Sequence, residues 1–372
     1  MSENHDSPSN PHLNDMSTLD KPDSNSTKLG SPSTLASGDN DAPTTLIEVA
    51  RTAGVSPSTV SRILNGTAKV SDEKRQAVMD AIAKTNFAPN QMAQGLKKGK
   101  SMTIGIVVQD ISSPFFDETL HGVDDALKGT GYASVIVSGH WNAAEEIERI
   151  RLLLARKVDG IILLSGRITD ESVLQFSQHR PIVSTGRDIH TDKALGFKLD
   201  NEYGSWLAVR HLIELGHRRI AFITGPSNNC DAAERLTGYQ RALQEADIPF
   251  DDKLVVEGDF HESSGMRAIN HLFDTQQQFT AVCAANDLSA YGARLSLYRK
   301  GIRVPEDISL VGFDDLPGSS YTTPPLTTVK QPLYEIGRIA TKALLNIING
   351  EVVETSIPPL ELVVRETTRR TR

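Results

Sequence analysis

Hydrophobic and polar positions alternate with helical spacing in a short stretch near the N-terminus. Thr45 and Glu48 form a capping box, in which each side chain satisfies the other residue's backbone amide, and this predicts a helix from Leu46. Gly54 ends that helix, because glycine adopts the left-handed backbone conformation at little cost. Ser56 then caps a second helix. The pattern predicts two short helices joined by a tight turn.

The second helix has Pro57 at its first position, where the missing amide is harmless. Its apolar face consists of Val60, Ile63 and Leu64. Two helices in this arrangement form a helix-turn-helix, whose second helix enters the DNA major groove. Arg62 points outward and can bind a guanine through two hydrogen bonds, a contact worth about 1–3 kcal/mol of base discrimination. The alternative for this pair alone is an αα-hairpin with no role in DNA binding.

A third amphipathic segment follows. Ser71 is a helix-capping residue type, and Val78 and Ile82 lie on one face of the predicted helix. Phe87 is expected to pack under it. These features complete a small three-helix headpiece.

Beyond residue 102, apolar runs alternate with amphipathic segments in two successive series. This pattern predicts parallel βαβ units in two similar lobes, an α/β fold. The predicted strands are 103–108, 133–137, 160–164, 181–184, 219–224, 254–258, 281–284 and 308–313, and the segment 326–331 leads into the last helix. The predicted helices lie near 116–127, 147–154, 206–215, 235–245, 264–273, 290–300 and 334–348, and the second of them buries Ile147, Ile150 and Leu154.

Composition divides the chain further. The first 43 residues are rich in Ser, Asn, Asp and Pro, so we expect a disordered extension, because they have too little apolar surface to offset the entropy of ordering. The predicted domains are the extension 1–43, the headpiece 44–88, a hinge and linker 89–101 and a core 102–372. Within the core, we expect lobe 1 to comprise about 102–199 and 331–361, and lobe 2 about 200–330.

The distribution of charge favours a nucleic-acid partner although the whole chain has a net charge of −8. Residues 44–100 carry 9 basic and 4 acidic side chains, a net of +5. The residues before them have a net charge of −5 and those after them −8. A basic segment on an acidic body is typical of a DNA-binding module attached to a domain with another task.

Other classes of protein lack support. Cys230 and Cys283 are too few for a disulfide framework or a paired-cysteine zinc site. Residues 1–20 do not resemble a secretory signal, and no apolar run reaches the ~20 residues of a membrane helix. No G-x-G-x-x-G motif follows a strand and no H-E-x-x-H occurs. We therefore expect a cytoplasmic protein without membrane partner, metal, cofactor or enzymatic activity.

Several motifs occur together in a fixed order. They are Thr45-Leu-Ile-Glu-Val-Ala50, Val60-Ser-Arg-Ile-Leu-Asn-Gly66, Val70-Ser71, Phe87-Ala-Pro-Asn90, Gly216-His-Arg-Arg-Ile-Ala221, Ala285-Asn-Asp287, Val311-Gly-Phe-Asp-Asp315 and Pro325-Leu-Thr-Thr328. With them the chain resembles the lactose/galactose-repressor family of bacterial transcription regulators from residue 44 to about 366. The resemblance implies a homodimer that binds a pseudo-palindromic double-stranded operator. It also implies a core like that of periplasmic sugar-binding proteins, with two Rossmann-like lobes around a small-molecule effector.

The resemblance also implies site residues. The expected DNA-binding residues are Thr45, Ser56, Pro57, Ser58, Thr59, Arg62, Asn65, Asn90, Ala93 and Leu96, the last as a minor-groove wedge. The expected effector-binding residues are Asp110, Phe115, Phe116, Arg187, Arg235, Phe260, Asn286 and Asp314. Their chemistry suits a sugar, because an aromatic ring stacks on the sugar face while the polar groups bind hydroxyls. If both arginines point inward, a sugar acid or sugar phosphate is the expected effector.

Alternatives remain for these residues and for the whole chain. Phe116 is equally compatible with the core, and Arg187 and Arg235 with ion pairs on the cleft rim. The preferred function is an effector-controlled repressor of genes for carbohydrate uptake or catabolism. A solute-binding protein for a transporter would share the two-lobed core but not the basic helix-turn-helix.

Overall fold

The computed structural model describes residues 45–64, 67–87, 99–353 and 355–371. The chain forms two compact units, Met1–Ala88 and Pro89–Arg372. The predictions for the extension 1–43, for Asn65 and for most of the hinge lie outside the described residues.

The first unit contains the three predicted helices, α1 (Leu46–Thr52), α2 (Pro57–Leu64) and α3 (Asp72–Thr85). Thr45 and Glu48 form both hydrogen bonds of the capping box, as predicted. Gly54 has the expected positive φ of 66°. Val60 is fully buried in a small core with Val49 and Val78, and Phe87 packs against it.

In the second unit, lobe 1 is built on a wholly parallel five-stranded sheet of order β2-β1-β3-β4-β5. Its strands are β1 (Thr103–Val108), β2 (Ala133–Ser138), β3 (Gly160–Leu163), β4 (Ile182–Thr185) and β5 (Ala194–Phe197). Its helices are α4 (Pro114–Leu127), α5 (Ala143–Ala155), α6 (Asp170–Ser177) and, from later in the chain, α11 (Leu333–Asn349).

Lobe 2 is built on a six-stranded sheet of order β11-β10-β9-β8-β6-β7. Its strands are β6 (Ile220–Ile223), β7 (Val255–Val256), β8 (Ala281–Ala284), β9 (Ser309–Asp314), β10 (Thr327–Lys330) and β11 (Glu361–Val363). Its helices are α7 (Asn201–Glu214), α8 (Cys230–Glu245), α9 (Glu262–Asp274) and α10 (Asp287–Arg299), with short 3-10 helices at Asp252–Leu254 and Pro317–Ser320.

The chain passes between the lobes three times, after β5, after β10 and after α11. In lobe 1, α11 packs tightly on α4 because glycines face each other at the crossing. A Cβ on Gly337 would lie 1.9 Å from the carbonyl oxygen of Thr119, and one on Gly122 would lie 2.0 Å from that of Tyr334. The C-terminal part of the polypeptide is therefore built into both lobes.

The predicted α/β class and the two parallel-sheet lobes are confirmed, with four elements that the pattern missed, α6, β5, β10 and β11. The strand β11 runs antiparallel to β10, with Thr328 opposite Val363. Residues 361–363 thus belong to the sheet of lobe 2, whereas we expected lobe 1 to extend to residue 361.

The buried face of α5 is also shifted from the prediction. Leu153 is fully buried, as is Ile150, whereas Ile147 and Leu154 are half-buried. Glu146 is only 2 % exposed, and its carboxylate accepts hydrogen bonds from the backbone amides of Arg167 and Ile168. A buried carboxylate that caps a loop cannot be recognised from hydrophobic periodicity.

Candidate functional site

The outward face of α2 carries the predicted DNA-binding side chains. Ser56, Pro57, Ser58 and Arg62 are exposed, and Thr59 is half-buried. The Ser56 hydroxyl lies 2.9 Å from that of Ser58 and 2.8 Å from that of Thr59. The Ser56 hydroxyl oxygen also accepts a hydrogen bond from the backbone amide of Thr59 at 3.2 Å. The N-terminus of the helix thus presents a group of hydroxyls, which suit phosphate oxygens and base edges.

The remaining predicted DNA-binding positions have different outcomes. Thr45 is exposed, and its side chain belongs to the α1 capping box. Asn65, Asn90, Ala93 and Leu96 lie outside the described residues.

A cleft lies between the two lobes, where the carboxyl ends of their parallel strands meet. It has an empty volume of about 600 Å³ and opens to solvent. Seven of the eight predicted effector-binding residues line it: Asp110, Phe115, Phe116, Arg235, Phe260, Asn286 and Asp314. This is the position at which open α/β sheets bind ligands.

Arg235, on α8, is the centre of the lobe 2 face. Its guanidinium donates to the Asn201 side-chain oxygen at 2.9 Å and to the Ala285 carbonyl at 2.5 Å. It lies 3.8 Å from the Asp314 carboxylate and stacks on the Phe313 ring, 3.8 Å from its centroid. These contacts hold the side chain in one position, with only 5 % of its surface exposed.

Asp314 closes this network at the end of β9. It is 3 % exposed and accepts a hydrogen bond from the Gln331 side chain at 2.7 Å. Burial raises the pKa of the Asp314 carboxyl, and nearby Arg235 opposes that shift. Arg235 and Asp314 are thus an ion pair at the cleft wall, one of the alternatives that the sequence left open.

Asn286 and Phe260 are tied together. The Asn286 side-chain oxygen caps α10 by accepting from the Ser289 amide at 3.0 Å, and its side-chain nitrogen donates to the Phe260 carbonyl at 2.8 Å. Asn286 therefore acts as a cap and a brace for the loop that carries Phe260. A Cβ on Gly225 would lie 2.1 Å from the Phe260 ring, so the ring position depends on glycine there.

The lobe 1 face is more open. Asp110 follows β1, and its carboxylate accepts hydrogen bonds from the backbone amide and the hydroxyl of Ser112. The hydrogen bond from the Ser112 hydroxyl is the main cause of the lowered pKa of the Asp110 carboxyl. Phe115 is half-buried and contacts Phe116 edge to face, with ring centroids 5.1 Å apart. Phe116 is 2 % exposed and belongs to the lobe 1 core, although it touches the cleft.

Arg187 is the predicted effector-binding residue that does not line this cleft. It lies in an adjoining outer groove, where it pairs with Asp170 at 2.6 Å and donates to the Gly166 and Ile168 carbonyls. The two arginines are thus not both directed into the cleft.

Sequence reasoning missed Trp141, Asp231 and Asn201. Trp141 and Asp231 line the cleft, and Asn201 joins two cleft residues by accepting from Arg235 and donating to Asp231 at 3.1 Å. Trp141 and Asp231 each lie beyond the carboxyl end of a strand, β2 and β6. That position is the signal that could have identified them.

Four cleft residues have left-handed backbones. The φ angles are 53° at Trp141, 61° at Ser165, 66° at Phe260 and 120° at Asp314. Such conformations cost of order 1–3 kcal/mol each and are found preferentially at binding sites. The backbone of both lobes is therefore shaped around the cleft at the expense of local stability.

The described ranges contain neither a clustered metal site nor a membrane-spanning helix. Among these residues, no group of three or more His, Cys, Asp or Glu is placed to hold a metal ion. In the same part of the chain, no helix has both the length and the apolar character to span a membrane.

Known proteins share both units. Residues 45–90 match the family described as bacterial regulatory proteins, lacI family, and residues 101–366 match the periplasmic binding proteins and sugar binding domain of the LacI family. The second match covers well over half of the chain. The chain belongs to the LacI family. The resemblance identified from its motifs is thereby confirmed, and the chain is a transcriptional regulator.

Relatives of this LacI-family chain match over nearly their whole length. Catabolite control protein A of Priestia megaterium is 34 % identical over 321 residues, covering 85 % of this chain and 96 % of the relative. The HTH-type transcriptional repressor PurR of Vibrio atlanticus is 34 % identical, covering 87 % and 98 %. The lac repressor dimer bound to operator and the anti-inducer ONPF superimposes with a TM-score of 0.78 at 31 % identity, covering 88 % and 100 %.

Proposed function

We propose that this chain is a cytoplasmic, homodimeric repressor of genes for carbohydrate uptake or catabolism. It binds a pseudo-palindromic operator through the helix-turn-helix, and a small sugar-like effector in the interlobe cleft controls that binding. The observation that carries the proposal is the convergence of seven predicted effector-binding residues on one cleft, in a chain that also presents a helix-turn-helix.

The exposed face of α2 supports the DNA-binding part. Val60 and Ile63 anchor the helix in the headpiece core, and Arg62 between them projects into solvent. Arg62 can therefore reach base edges without disturbing the fold, while the Ser56 and Ser58 hydroxyls suit the DNA backbone. The lac repressor structure, with its dimer on an operator, is the precedent for two copies reading two half-sites.

The position of Asp314 supports control by an effector. Gln331 donates to the Asp314 carboxylate, and its backbone amide donates to the Asp314 carbonyl at 3.2 Å. Gln331 lies where the chain leaves lobe 2 for α11 of lobe 1. A ligand that contacts Asp314 therefore acts directly on a connection between the lobes. An effector that favours one lobe arrangement shifts the population toward it, with a coupling of typically ~1–3 kcal/mol.

Selection of DNA sites from a random duplex library by the full-length protein tests the DNA-binding part. We expect a selected site with two related half-sites. Arg62→Ala should weaken binding to that site by about 5–150-fold and leave binding to random DNA almost unchanged, since a base contact is lost and phosphate contacts remain.

Lys84→Ala is the matched control, because Lys84 is an exposed cation on α3 of the same headpiece. We expect it to preserve the ratio of selected-site to random-DNA affinity. An Arg62→Ala protein that keeps the wild-type ratio would show that Arg62 does not read the operator.

A further inference from the structure

A buried carboxylate holds the chain at the point where the predicted linker ends and lobe 1 begins. Residues 99–102 precede the first residue of β1. The backbone amides of Ser101 and Met102 both donate to the carboxylate of Asp159, each at 2.8 Å. The Ser101 hydroxyl donates to the same carboxylate at 3.2 Å. We call Asp159 and these two residues the linker anchor.

Asp159 is itself firmly placed. It lies directly before β3, is only 7 % exposed, and donates its own backbone amide to the Thr103 carbonyl at 2.8 Å. Its Oδ1 accepts from the Ser101 amide and its Oδ2 from the Met102 amide. Hydrogen bonds to a carboxylate are stronger than those between neutral groups, and a buried carboxylate that loses them is strongly destabilising. The anchor therefore resists displacement of the end of the linker.

The anchor fixes more of the chain than the sheet requires. The strand β1 already pairs with both of its neighbours, since Ile104 lies opposite Ser134 on one side and Gly160 on the other. Ser101 precedes this strand. The chain also turns before the strand, because Met102 has a φ of 53°, a left-handed conformation that is costly for a residue with a side chain. The hydrogen bonds of the anchor thus determine the direction in which the chain leaves lobe 1.

The helix α11 braces the same point from a second side. Its last residue, Asn349, accepts a hydrogen bond from the Lys100 side chain at 3.0 Å. The helix also packs over the start of β3, where a Cβ on Gly160 would lie 2.7 Å from the Leu344 Cδ1 atom. The end of the linker is therefore held by two elements of lobe 1, the start of β3 and the end of α11.

We infer that Asp159 is a positioning residue for operator recognition: by anchoring the end of the linker, it sets the half-site spacing at which both headpieces of a dimer bind together. This inference rests on the proposed function and deepens it. Two binding modules on one body reinforce each other only when their attachment matches the spacing of their targets. A loosened attachment lowers the affinity for the matched spacing and tolerates other spacings better.

Operators of altered spacing test the inference on the full-length protein. Fluorescence anisotropy compares the operator obtained by selection, the same duplex with two base pairs inserted between the half-sites, and a single half-site. The insertion separates the half-sites by a further ~7 Å along the duplex. We expect it to weaken wild-type binding about ten-fold or more, because the two headpieces no longer reach both half-sites.

Asp159→Asn is the test variant, because it replaces one acceptor oxygen by a donor that faces a backbone amide. We expect it to weaken binding to the selected operator several-fold and to reduce the penalty of the insertion about three-fold or more. Its binding to the single half-site should equal that of the wild type, since the headpiece is unaltered. A wild-type insertion penalty in this variant would overturn the inference.

Glu146→Gln is the matched control within lobe 1. The buried Glu146 carboxylate also binds two consecutive backbone amides, those of Arg167 and Ile168, but it holds the loop after β3 and not the linker. We expect both variants to lower the Tm and only Asp159→Asn to change the insertion penalty. An equal reduction of that penalty in Glu146→Gln would overturn the inference, because any loosening of lobe 1 would then have the same effect.

Amide exchange of the free wild-type protein tests the anchor without DNA and without a variant. We expect the Ser101 and Met102 amides, resolved by mass spectrometry with electron-transfer fragmentation, to exchange about ten-fold or more slowly than in an unstructured peptide. Exchange at the unprotected rate would overturn the inference even if Asp159→Asn does not fold.

The outcomes separate the inference from the function on which it rests. If the selection returns no pair of half-sites, the proposed function fails and the inference fails with it. If paired half-sites are selected but Asp159→Asn keeps the wild-type insertion penalty, the inference alone fails, and Asp159 serves only the stability of lobe 1.

Discussion

The two walls of the cleft differ in how firmly their side chains are held. On lobe 2, Arg235, Asn286 and Asp314 are only 3–6 % exposed. Each of them forms a hydrogen bond within the protein: Arg235 donates to the Ala285 carbonyl, Asn286 donates to the Phe260 carbonyl, and Asp314 accepts from the Gln331 side chain. On lobe 1, Asp110 and Trp141 are half-buried and lie in loops after strands. The polar side chains of the lobe 2 wall are therefore held more firmly than those of the lobe 1 wall, and we expect lobe 2 to be the preorganised side of the site.

This contrast explains why one site needs both kinds of wall. A preorganised network binds without a further loss of side-chain entropy, which favours affinity and orientation. A looser opposing wall can move toward the ligand, which is what allows binding to change the arrangement of the lobes. Substitutions in lobe 2 should thus abolish recognition, whereas those in lobe 1 should weaken closure.

The largest effect is expected at Arg235. Arg235→Ala leaves Asp314 buried without its cation, and breaking a buried ion pair costs about 3–5 kcal/mol. We expect loss of detectable effector binding and a clear drop in the free energy of unfolding, measured by urea denaturation. Arg241→Ala on the same helix removes an exposed arginine that pairs with Glu202 and Glu245, and should leave the free energy of unfolding almost unchanged. Equal losses in the two variants would argue against a preorganised platform.

A smaller, pH-dependent effect is expected at Asp314. Because its pKa is raised in the folded protein, its ionised form is less favourable there than in the unfolded chain. The Asp314 carboxyl therefore contributes most to the free energy of unfolding at low pH. That contribution decreases as the pH rises from the usual pKa of a carboxyl group to the raised pKa of Asp314.

Asp314→Asn removes this pH-dependent loss of stability, because the amide does not ionise. The amide oxygen of the variant can still accept the hydrogen bond from the Gln331 side chain. The Tm of this variant relative to wild type should rise between pH 5 and pH 8, while Asp192→Asn, at an exposed position, should show no such trend. A constant Tm difference across this range would contradict the assigned burial of the Asp314 charge.

A moderate effect is expected at Trp141 of lobe 1. Trp141→Ala removes one aromatic face, whose stacking is worth about 0.5–1.5 kcal/mol in addition to the burial of its surface. The dissociation constant for a bound sugar should therefore rise roughly 2–13-fold. Calorimetry with the sugar that binds the wild-type protein would show this. Trp206→Phe, which alters a tryptophan on α7 outside the cleft, should bind normally. Loss of binding as complete as in Arg235→Ala would remove the distinction between the walls.

The smallest effect is expected at Arg187. Its guanidinium is engaged with Asp170 and two carbonyls in the outer groove. Arg187→Ala should change the affinity for a neutral sugar by no more than about two-fold, as expected for a mostly local ion pair. A loss of ten-fold or more in calorimetry would mean that the ligand extends into the outer groove.

Local chemistry accounts for the parts of the fold that the sequence predicted well. The capping box at Thr45 and the apolar run of β1 depend on neighbours in the chain, and both were found as predicted. The strand β11 was missed because Glu361–Val363 is short and acquires its conformation by pairing with β10.

Tertiary placement accounts for the parts of the site that remained hidden. Asp231 and Asn201 lie thirty positions apart in sequence and meet only because α7 and α8 pack together. Asn286 lines the cleft, as the sequence predicted, and its side chain is also a helix cap and a loop brace, a structural role that composition alone cannot reveal.

Hydrogen–deuterium exchange of the full-length protein tests the division between the walls most directly, with and without the neutral sugar that stabilises it best. We predict that peptides covering 110–116 and 140–142 of lobe 1 exchange more slowly when the sugar is bound. Peptides covering 230–235 and 286–288 of lobe 2 should already be slow without it and change little. If the lobe 2 peptides exchange rapidly in the free protein and gain most of the protection, the platform is formed by the ligand and is not preorganised.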